Sequence, residues 1–165
     1  MNLIGNYLGI DPGKAGGFAI ISGQPYDGIV QTFEMPDTEM DIKRLFEQRI
    51  YPARIAFCCI EWVHGIHGAA SGSMFTFGRG VGVLIGLLMA YGIPFEECRP
   101  QEWQKMLQIT PRKKKNKSGP GETTRQWKNR LKGHAQKLFP DVEVSLETAD
   151  ALLLAEVARR TRHDG

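Results

Sequence analysis

Leu8-Gly9-Ile10-Asp11-Pro12-Gly13 is the stretch that decides the fold, because an apolar strand pattern ends there at an acid and a turn follows. A second apolar run, residues 55–61, ends in the same way at Glu61. A carboxylate at the end of a buried strand loses hydration, and a shared divalent cation is one way to offset that cost. The two runs therefore predict a site at which acids from neighbouring strands collect.

Two further acids stand at the start of the last apolar helix pattern. Glu147 and Asp150 are three residues apart, which predicts that both lie on one face of the first helical turn, where the helix dipole favours negative charge. With Asp11 and Glu61 they form a candidate metal site for phosphodiester chemistry. Simpler roles remain open: Asp11 shaping a turn, Glu61 pairing with an arginine, and the last two acids as ordinary helix-start residues.

The basic residues are unevenly distributed. The chain has 165 residues, enough for one domain with a real core, and a net charge of only +3. Residues 112–137 nevertheless hold 10 of the 21 lysines and arginines and a single acid, Glu122. This segment predicts a polyanionic partner, with a solvated loop as the alternative. Residues 110–121 carry almost no apolar side chain that could be buried, and they predict a mobile basic loop within a single domain spanning residues 1–165.

Cysteine content and apolar segments predict a cytoplasmic protein with no membrane association. Cys58, Cys59 and Cys98 have no zinc-ligand spacing with the histidines, so they are interpreted as buried free thiols in a reducing compartment. The N-terminal residues lack the pattern of a signal peptide. The most apolar stretch, residues 81–91, is too short and too rich in glycine to predict a membrane span.

Hydrophobic periodicity predicts a mixed α/β fold with five strands. The predicted strands are residues 7–11, 17–22, 29–34, 55–62 and 93–98, and the predicted helices are residues 41–51, 74–91, 100–107, 122–138 and 145–160. Asp37 or Thr38 is expected to cap the first helix and Ser145 the last. Glycines 78, 80, 82 and 86 are poor helix formers, which indicates close packing of their helix against a sheet, a partner helix or DNA.

The order of these motifs resembles the RuvC-type Holliday junction resolvases of the RNase H-like superfamily, as a phage or otherwise divergent member. The resemblance rests on Gly9-Ile10-Asp11-Pro12-Gly13, on Ile60-Glu61 and on Ala149-Asp150-Ala151-Leu152, and it spans nearly the whole chain. The segment Pro100-Gln101-Glu102-Trp103-Gln104-Lys105 also resembles phage relatives. The resemblance implies an RNase H-like sheet of three antiparallel and then two parallel strands, flanked by helices.

The resemblance also implies an activity and a site. The expected activity is divalent-metal-dependent endonucleolytic resolution of Holliday junctions and other branched DNA, by paired hydrolysis that leaves 5′-phosphate and 3′-hydroxyl ends. Asp11, Glu61, Glu147 and Asp150 fall on the four acidic positions that bind the metal. Oxygen ligands favour Mg²⁺, with Mn²⁺ as a substitute and two ions per site. A homodimer, built on the helix at about residues 74–91, would supply two symmetric sites.

Two positions depart from the family pattern, and other classes of function stay open. Glu147 stands where the family commonly has Asp, and His64, beside Trp62, stands where a family aromatic probes the junction. The expected DNA-binding residues are Lys14, His64, Arg112, Lys113, Lys114, Lys115, Lys117, Arg125 and Lys128. The alternatives to a nuclease are a non-catalytic junction-binding module and, from the Asp-Pro-Gly-Lys turn, a fragment of an actin-like kinase.

Overall fold

The computed structural model describes residues 5–23, 28–63, 70–117 and 119–163. The strands are β1 Asn6–Asp11, β2 Gly17–Ser22, β3 Val30–Glu34, β4 Ile55–Glu61 and β5 Phe95–Cys98. The helices are α1 Glu39–Leu45, which continues into a π-helical turn at Phe46–Ile50, α2 Ser71–Ala90, α3 Pro100–Met106, α4 Thr124–Leu138 and α5 Ala149–His163.

The five strands form one mixed sheet in the order β3-β2-β1-β4-β5. The pairs β1/β2 and β2/β3 are antiparallel, whereas β1/β4 and β4/β5 are parallel. The predicted sheet of three antiparallel and two parallel strands is therefore confirmed. Because β1 and β4 are parallel neighbours, with Ile10 paired to Ile60, their terminal acids Asp11 and Glu61 come to the same edge of the sheet.

Each face of the sheet carries its own hydrophobic core. Leu8 and Ile10 of β1 pack into a cluster with the buried side chains of α1 and α2, whereas Tyr7 belongs to the cluster formed with α5. In β4, Cys58 and Ile60 join the first cluster and Cys59 joins the second. Since side chains alternate along a strand, Asp11 and Glu61 both fall on the face covered by α5.

Helix α5 lies directly against the backbone of β1 at Gly9. A Cβ atom placed on Gly9 would lie 2.0 Å from the carbonyl oxygen of Ala151 and 2.3 Å from the amide nitrogen of Ala155. Only a residue without a side chain permits this approach. The contact fixes the height of α5 over the central strand and therefore the position of the acid in its first turn.

Helix α2 leaves most of its surface uncovered. Leu84 and Leu88 are its buried residues, while a Cβ atom placed on any of glycines 78, 80, 82 and 86 would meet nothing within 4 Å in the described chain. Packing against the chain's own sheet therefore does not explain these glycines. Helix α2 is long and apolar enough to cross a membrane (mean hydropathy 1.5), although length and hydropathy alone are weak indicators. Within its most apolar stretch of 18 residues, 11% is buried in the described structure.

Replacing Gly9 by alanine should destabilise the fold, because the added methyl group meets backbone atoms of α5 that cannot rotate away. Overpacking of this kind costs about 1–3 kcal/mol, and a contact with backbone belongs at the upper end. Urea unfolding followed by circular dichroism measures the loss. Gly133→Ala in α4 is the matched control, since a Cβ there has open space and helix propensity favours alanine. Equal stability of the two variants would contradict the assigned contact.

Candidate functional site

Three carboxylates meet at the carboxyl edge of β1 and β4. Asp11 ends β1, Glu61 ends β4, and Asp150 lies in the first turn of α5. Asp11 and Asp150 are buried, with 7% and 4% of their surfaces exposed. Each of the three is close enough for its charge to act on another: Asp150 and Glu61 act on Asp11, and Asp150 acts on Glu61.

A short turn before α5 sets the position of Asp150. The Ser145 hydroxyl accepts a hydrogen bond from the Thr148 amide (3.2 Å), and the Thr148 hydroxyl accepts one from the Ser145 amide (3.2 Å). The Ala149 amide then donates to the Ser145 carbonyl oxygen (3.1 Å), which begins the helical pattern. These bonds close the turn that precedes α5, and the role of Ser145 as the helix cap stays a prediction because the helix begins at Ala149. The acid that follows lies at the positive end of the helix dipole.

Two side chains that are distant in sequence complete the cluster. The indole Nε1 of Trp103 donates a hydrogen bond to Glu61 Oε1 (3.2 Å), so this buried residue orients Glu61 as well as packing in the core. The ammonium Nζ of Lys128 lies 2.6 Å from Asp150 Oδ2 and 4.0 Å from Asp11 Oδ2. The sequence predicts a DNA-binding role for Lys128. No sequence pattern indicates that its ammonium lies beside Asp150 and Asp11.

Burial and mutual repulsion make ionisation of the acids unfavourable. Burial, and then the charges of Asp150 and Glu61, raise the pKa of Asp11 well above its ordinary value, against the opposing effect of Lys128. Burial, and then the charge of Asp150, raise the pKa of Glu61 to about 7. Burial acts to lower the pKa of Lys128, but the acids around it outweigh that effect and raise it. When all three acids are ionised, their negative charge exceeds the single positive charge of Lys128.

One acceptor in the cluster lacks a partner among the described residues. Asp150 Oδ1 is buried and accepts no hydrogen bond, although its other oxygen is paired with Lys128. Such an atom costs free energy unless a ligand or water satisfies it. In the described ranges no three His, Cys, Asp or Glu side chains are already arranged as a metal site. Asp11, Glu61 and Asp150 lie close together, and the ammonium of Lys128 lies beside two of them.

Glu147 occupies the turn before α5 and not its first turn, because the helix begins at Ala149. Its side chain is half-buried, and its carbonyl oxygen lies 3.1 Å from a Cβ placed on Gly17, the residue paired with Asp11. The charges that act on Asp11 come from Asp150, Glu61 and Lys128. The place of Glu147 as a fourth metal ligand stays a prediction.

The basic segment forms a loop whose two ends are joined by hydrogen bonds and an ion pair. The Glu122 carboxylate accepts from the Lys113 amide (2.9 Å) and pairs with Arg130 (2.8 Å), which also donates to the carbonyl oxygens of Thr110 and Pro111. These bonds hold the pKa of Glu122 at about 2, with Arg130 as the main cause. At the tip, Asn116 bridges to Gly119.

Most of the expected DNA-binding residues are exposed, and Arg112 also makes hydrogen bonds within the protein. Lys14 is exposed in the turn after β1, and Arg112 donates to the Glu122 carbonyl oxygen and to the Thr124 hydroxyl. Lys113, Lys114, Lys115, Lys117 and Arg125 are also exposed. His64 and His67 lie outside the described residues. Trp62 follows Glu61, and the guanidinium of Arg99 lies 5.2 Å from its ring centroid.

The sheet order and the edge at which the acids collect define the class of fold as RNase H-like α/β. Two solved structures share it over almost their whole length. One is Thermus thermophilus RuvC in complex with a Holliday junction substrate (TM-score 0.60, 11% identity, 94% of each chain covered). The other is a Thermus thermophilus RuvC structure (TM-score 0.61, 14% identity, 95% of each chain covered). No family model and no curated protein sequence matches the chain.

These similarities show that the chain has the RuvC fold, and the expected resemblance is confirmed at that level. At 11–14% identity they define the fold alone. The three gathered acids are features of this chain's own structure, and their chemical role does not follow from the fold.

The pH dependence of stability tests the electrostatics of the cluster. Because the pKa of Glu61 is raised from 4.5 to about 7 in the folded state, its protonated form stabilises the fold by up to about 3 kcal/mol. This contribution is fully present below pH 4.5 and is lost as the pH rises through about 7. Wild-type protein should therefore lose stability over this window relative to Glu61→Gln, in urea titrations with EDTA present.

Glu143→Gln, which alters an exposed carboxylate, controls for the general effect of removing one acid. Its stability difference from wild type should stay nearly constant over the same pH window. A parallel response of Glu61→Gln and wild type would show that Glu61 is not held in an unfavourable environment.

Proposed function

We propose that this protein is a divalent-metal-dependent, structure-selective endonuclease that hydrolyses phosphodiester bonds in Holliday junctions and other branched DNA. The observation that carries the proposal is the meeting of Asp11, Glu61 and Asp150 at one sheet edge of a RuvC fold. One similar structure is described as a complex with a Holliday junction substrate. Tight binding of ATP would instead favour the remaining alternative, a fragment of an actin-like kinase.

The donor chemistry of the cluster fits a hard divalent cation. All three side chains offer carboxylate oxygens, which Mg²⁺ and Mn²⁺ prefer, and the described part of the site contains no thiol ligand. A bound cation would satisfy the unpaired Asp150 Oδ1 and would offset the excess negative charge of the three acids. Asp11, Glu61 and Asp150 would hold it, with Glu147 as the proposed fourth ligand and two ions per site.

Bound divalent ions would polarise the scissile phosphate and lower the pKa of an attacking water. The protein's own residues position the reaction. Trp103 fixes the Glu61 carboxylate through its indole hydrogen bond, and the Gly9 contact fixes Asp150 relative to Asp11. Burial of Asp11 and Asp150 keeps their charges poorly screened by solvent. These contacts position the carboxylates within the protein itself.

The exposed lysines of the basic loop support the DNA-binding part of the proposal. Lys113, Lys114, Lys115 and Lys117 project from a loop whose base is tied by Glu122 and Arg130. Lysines presented in this way would neutralise phosphates and displace counterions without reading bases. Lys14 and Arg125 would extend the same contact.

Conservative removal of one acid should separate cleavage from binding. Asp11→Asn and Asp150→Asn keep the side-chain size but lose a charged oxygen ligand, so the nicking rate should fall by about 100-fold or more. The assay uses labelled four-way, three-way, flap and linear DNA with Mg²⁺ or Mn²⁺. Junction affinity, measured in EDTA, should change little because the phosphate contacts remain.

Asp141→Asn, at an exposed acid outside the cluster, is the matched control and should cleave normally. Charge reversal of Lys113 and Lys115 should instead weaken junction binding and reduce its salt dependence. Wild-type rates from Asp150→Asn would disprove the site. Binding by the wild-type protein without cleavage in either metal would favour the alternative function, a junction-binding module.

We also propose that the protein acts as a homodimer joined through α2. Phe75, Gly78, Gly82, Gly86 and Met89 follow one another at intervals of three or four residues, so they form one stripe on the helix, named here the α2 seam. Phe75 and Met89 are 74% and 69% exposed. The seam lies on the opposite side of the helix from the buried residues Leu84 and Leu88.

The seam has the composition of a close helix–helix contact. Each glycine weakens the helix by about 1 kcal/mol relative to alanine, and nothing in the described chain takes up the space above it. A second copy of α2 could approach closely at the glycines while the two large apolar residues are covered. Arg79, beside the seam, is paired with Glu39 of α1 (2.6 Å), which favours a protein partner over lipid.

Sedimentation velocity at micromolar concentration should show a dimer for the wild-type protein and a monomer for Gly82→Glu. The substitution places a charge in the centre of the seam, and its Cβ atom meets nothing within 4 Å in the described chain. Gly133→Glu, on α4, is the control and should remain dimeric. A wild-type monomer would contradict the proposal, and so would selective association of α2 with lipid vesicles.

A further inference from the structure

Lys128 reaches into the acid cluster from a separate helix. Its ammonium contacts Asp150 Oδ2 (2.6 Å) and lies 4.0 Å from Asp11 Oδ2. The lysine side chain is 36% exposed, whereas those of Asp11 and Asp150 are 10% and 6% exposed. A partly exposed lysine therefore contacts a buried pair of acids.

Helix α4 holds Lys128 in place. The helix begins with a capping box in which Thr123 and Gln126 satisfy each other's backbone amides. Leu131 and Ala135 are buried in the core shared with α5, so α4 packs firmly beside the helix that carries Asp150. The backbone of Lys128 is thus held in place, so any displacement of the ammonium has to come from rotation of its long side chain.

The ammonium and a divalent ion compete for the same carboxylates. A cation bound through the unpaired Asp150 Oδ1 would lie on the same carboxylate whose Oδ2 is paired with the Lys128 ammonium. Two cations at one carboxylate repel each other strongly in a site with little solvent. Occupation by one therefore opposes occupation by the other.

We propose that Lys128 is a built-in counter-cation that occupies the acid cluster in the metal-free protein and must leave when a divalent ion binds. This inference rests on the proposed function, because it assumes that the three acids are the metal site. Lys128 stabilises the empty cluster and, by the same contact, weakens its affinity for metal. It is a positioning residue for the acids, and its displacement is a step in metal loading.

Mn²⁺ binding to the purified full-length chain tests the proposal without any cleavage assay. Lys128→Met keeps the apolar stem and removes the charge, so Mn²⁺ should bind about tenfold more tightly or better, by isothermal titration calorimetry or by the free Mn²⁺ spin-resonance signal. In EDTA the variant should melt at a lower temperature than wild type. Added Mn²⁺ should raise its melting temperature more than that of wild type.

Two further variants keep the test decisive. Lys137→Met makes the same substitution at an exposed position on the same helix and should bind Mn²⁺ like wild type. Lys128→Gln retains a hydrogen-bond donor toward Asp150 while losing the charge, and it should also bind Mn²⁺ more tightly. It therefore serves if the methionine variant folds poorly.

The outcomes separate this inference from the proposed function. Mn²⁺ binding of Lys128→Met and Lys128→Gln that equals or falls below wild type overturns the counter-cation role alone. Failure of every variant and of wild type to bind Mn²⁺ overturns both the role and the metal site. Binding by the Lys128 variants but not by wild type would support the role in its strongest form.

Discussion

The structure depends first on a contact between two backbones, that of α5 with β1 at Gly9. Most helices pack on sheets through side chains, which can adjust when the core changes. Here the carbonyl oxygen of Ala151 and the amide of Ala155 lie where a side chain on residue 9 would be. Asp11 is two residues along the strand and Asp150 is one residue before Ala151, so the same contact sets the relation between the two acids.

A second constraint is electrostatic and follows from the first. The topology brings Asp11 and Glu61 together with Asp150 of α5. Because the fold fixes these backbone positions, the three charges cannot move apart. The fold accommodates them by three local means: the raised pKa values of Asp11 and Glu61, the indole hydrogen bond from Trp103, and the ammonium of Lys128. None of these satisfies Asp150 Oδ1. With all three acids ionised, the cluster keeps a net negative charge and one unsatisfied oxygen among the described residues.

Local pattern was sufficient to predict most of the fold. The strand boundaries agree with the expected ones to within two residues, because alternation and apolar runs are local properties. Of the two capping candidates for α1, Thr38 was confirmed by its hydrogen bond from the Asp41 amide (3.1 Å). Helix α2 begins at Ser71 and not at Met74, since its first turn lies in a polar, glycine-containing stretch that carries no apolar signal.

The interior of the site was less accessible to prediction. Glu61 and Trp103 are 42 residues apart, and Lys128 and Asp150 are 22 apart, so no periodicity relates them. Lys128 also belongs to a run of basic residues, and such a run indicates a polyanionic partner more strongly than a pairing with buried acids. Glu147 illustrates the limit of spacing: i,i+3 places two acids on one face only if the helix already includes both, and here it begins at Ala149.

The central place of β1 has a consequence for local opening of the structure. This strand is hydrogen-bonded along both edges and covered by a core on each face, so its amide protons should exchange with solvent only when the whole domain unfolds. Strand β5 and the solvent side of α2 lack this double protection. Asp11 ends the strand that opens last. The geometry of the acids should therefore persist through partial openings that release the outer elements.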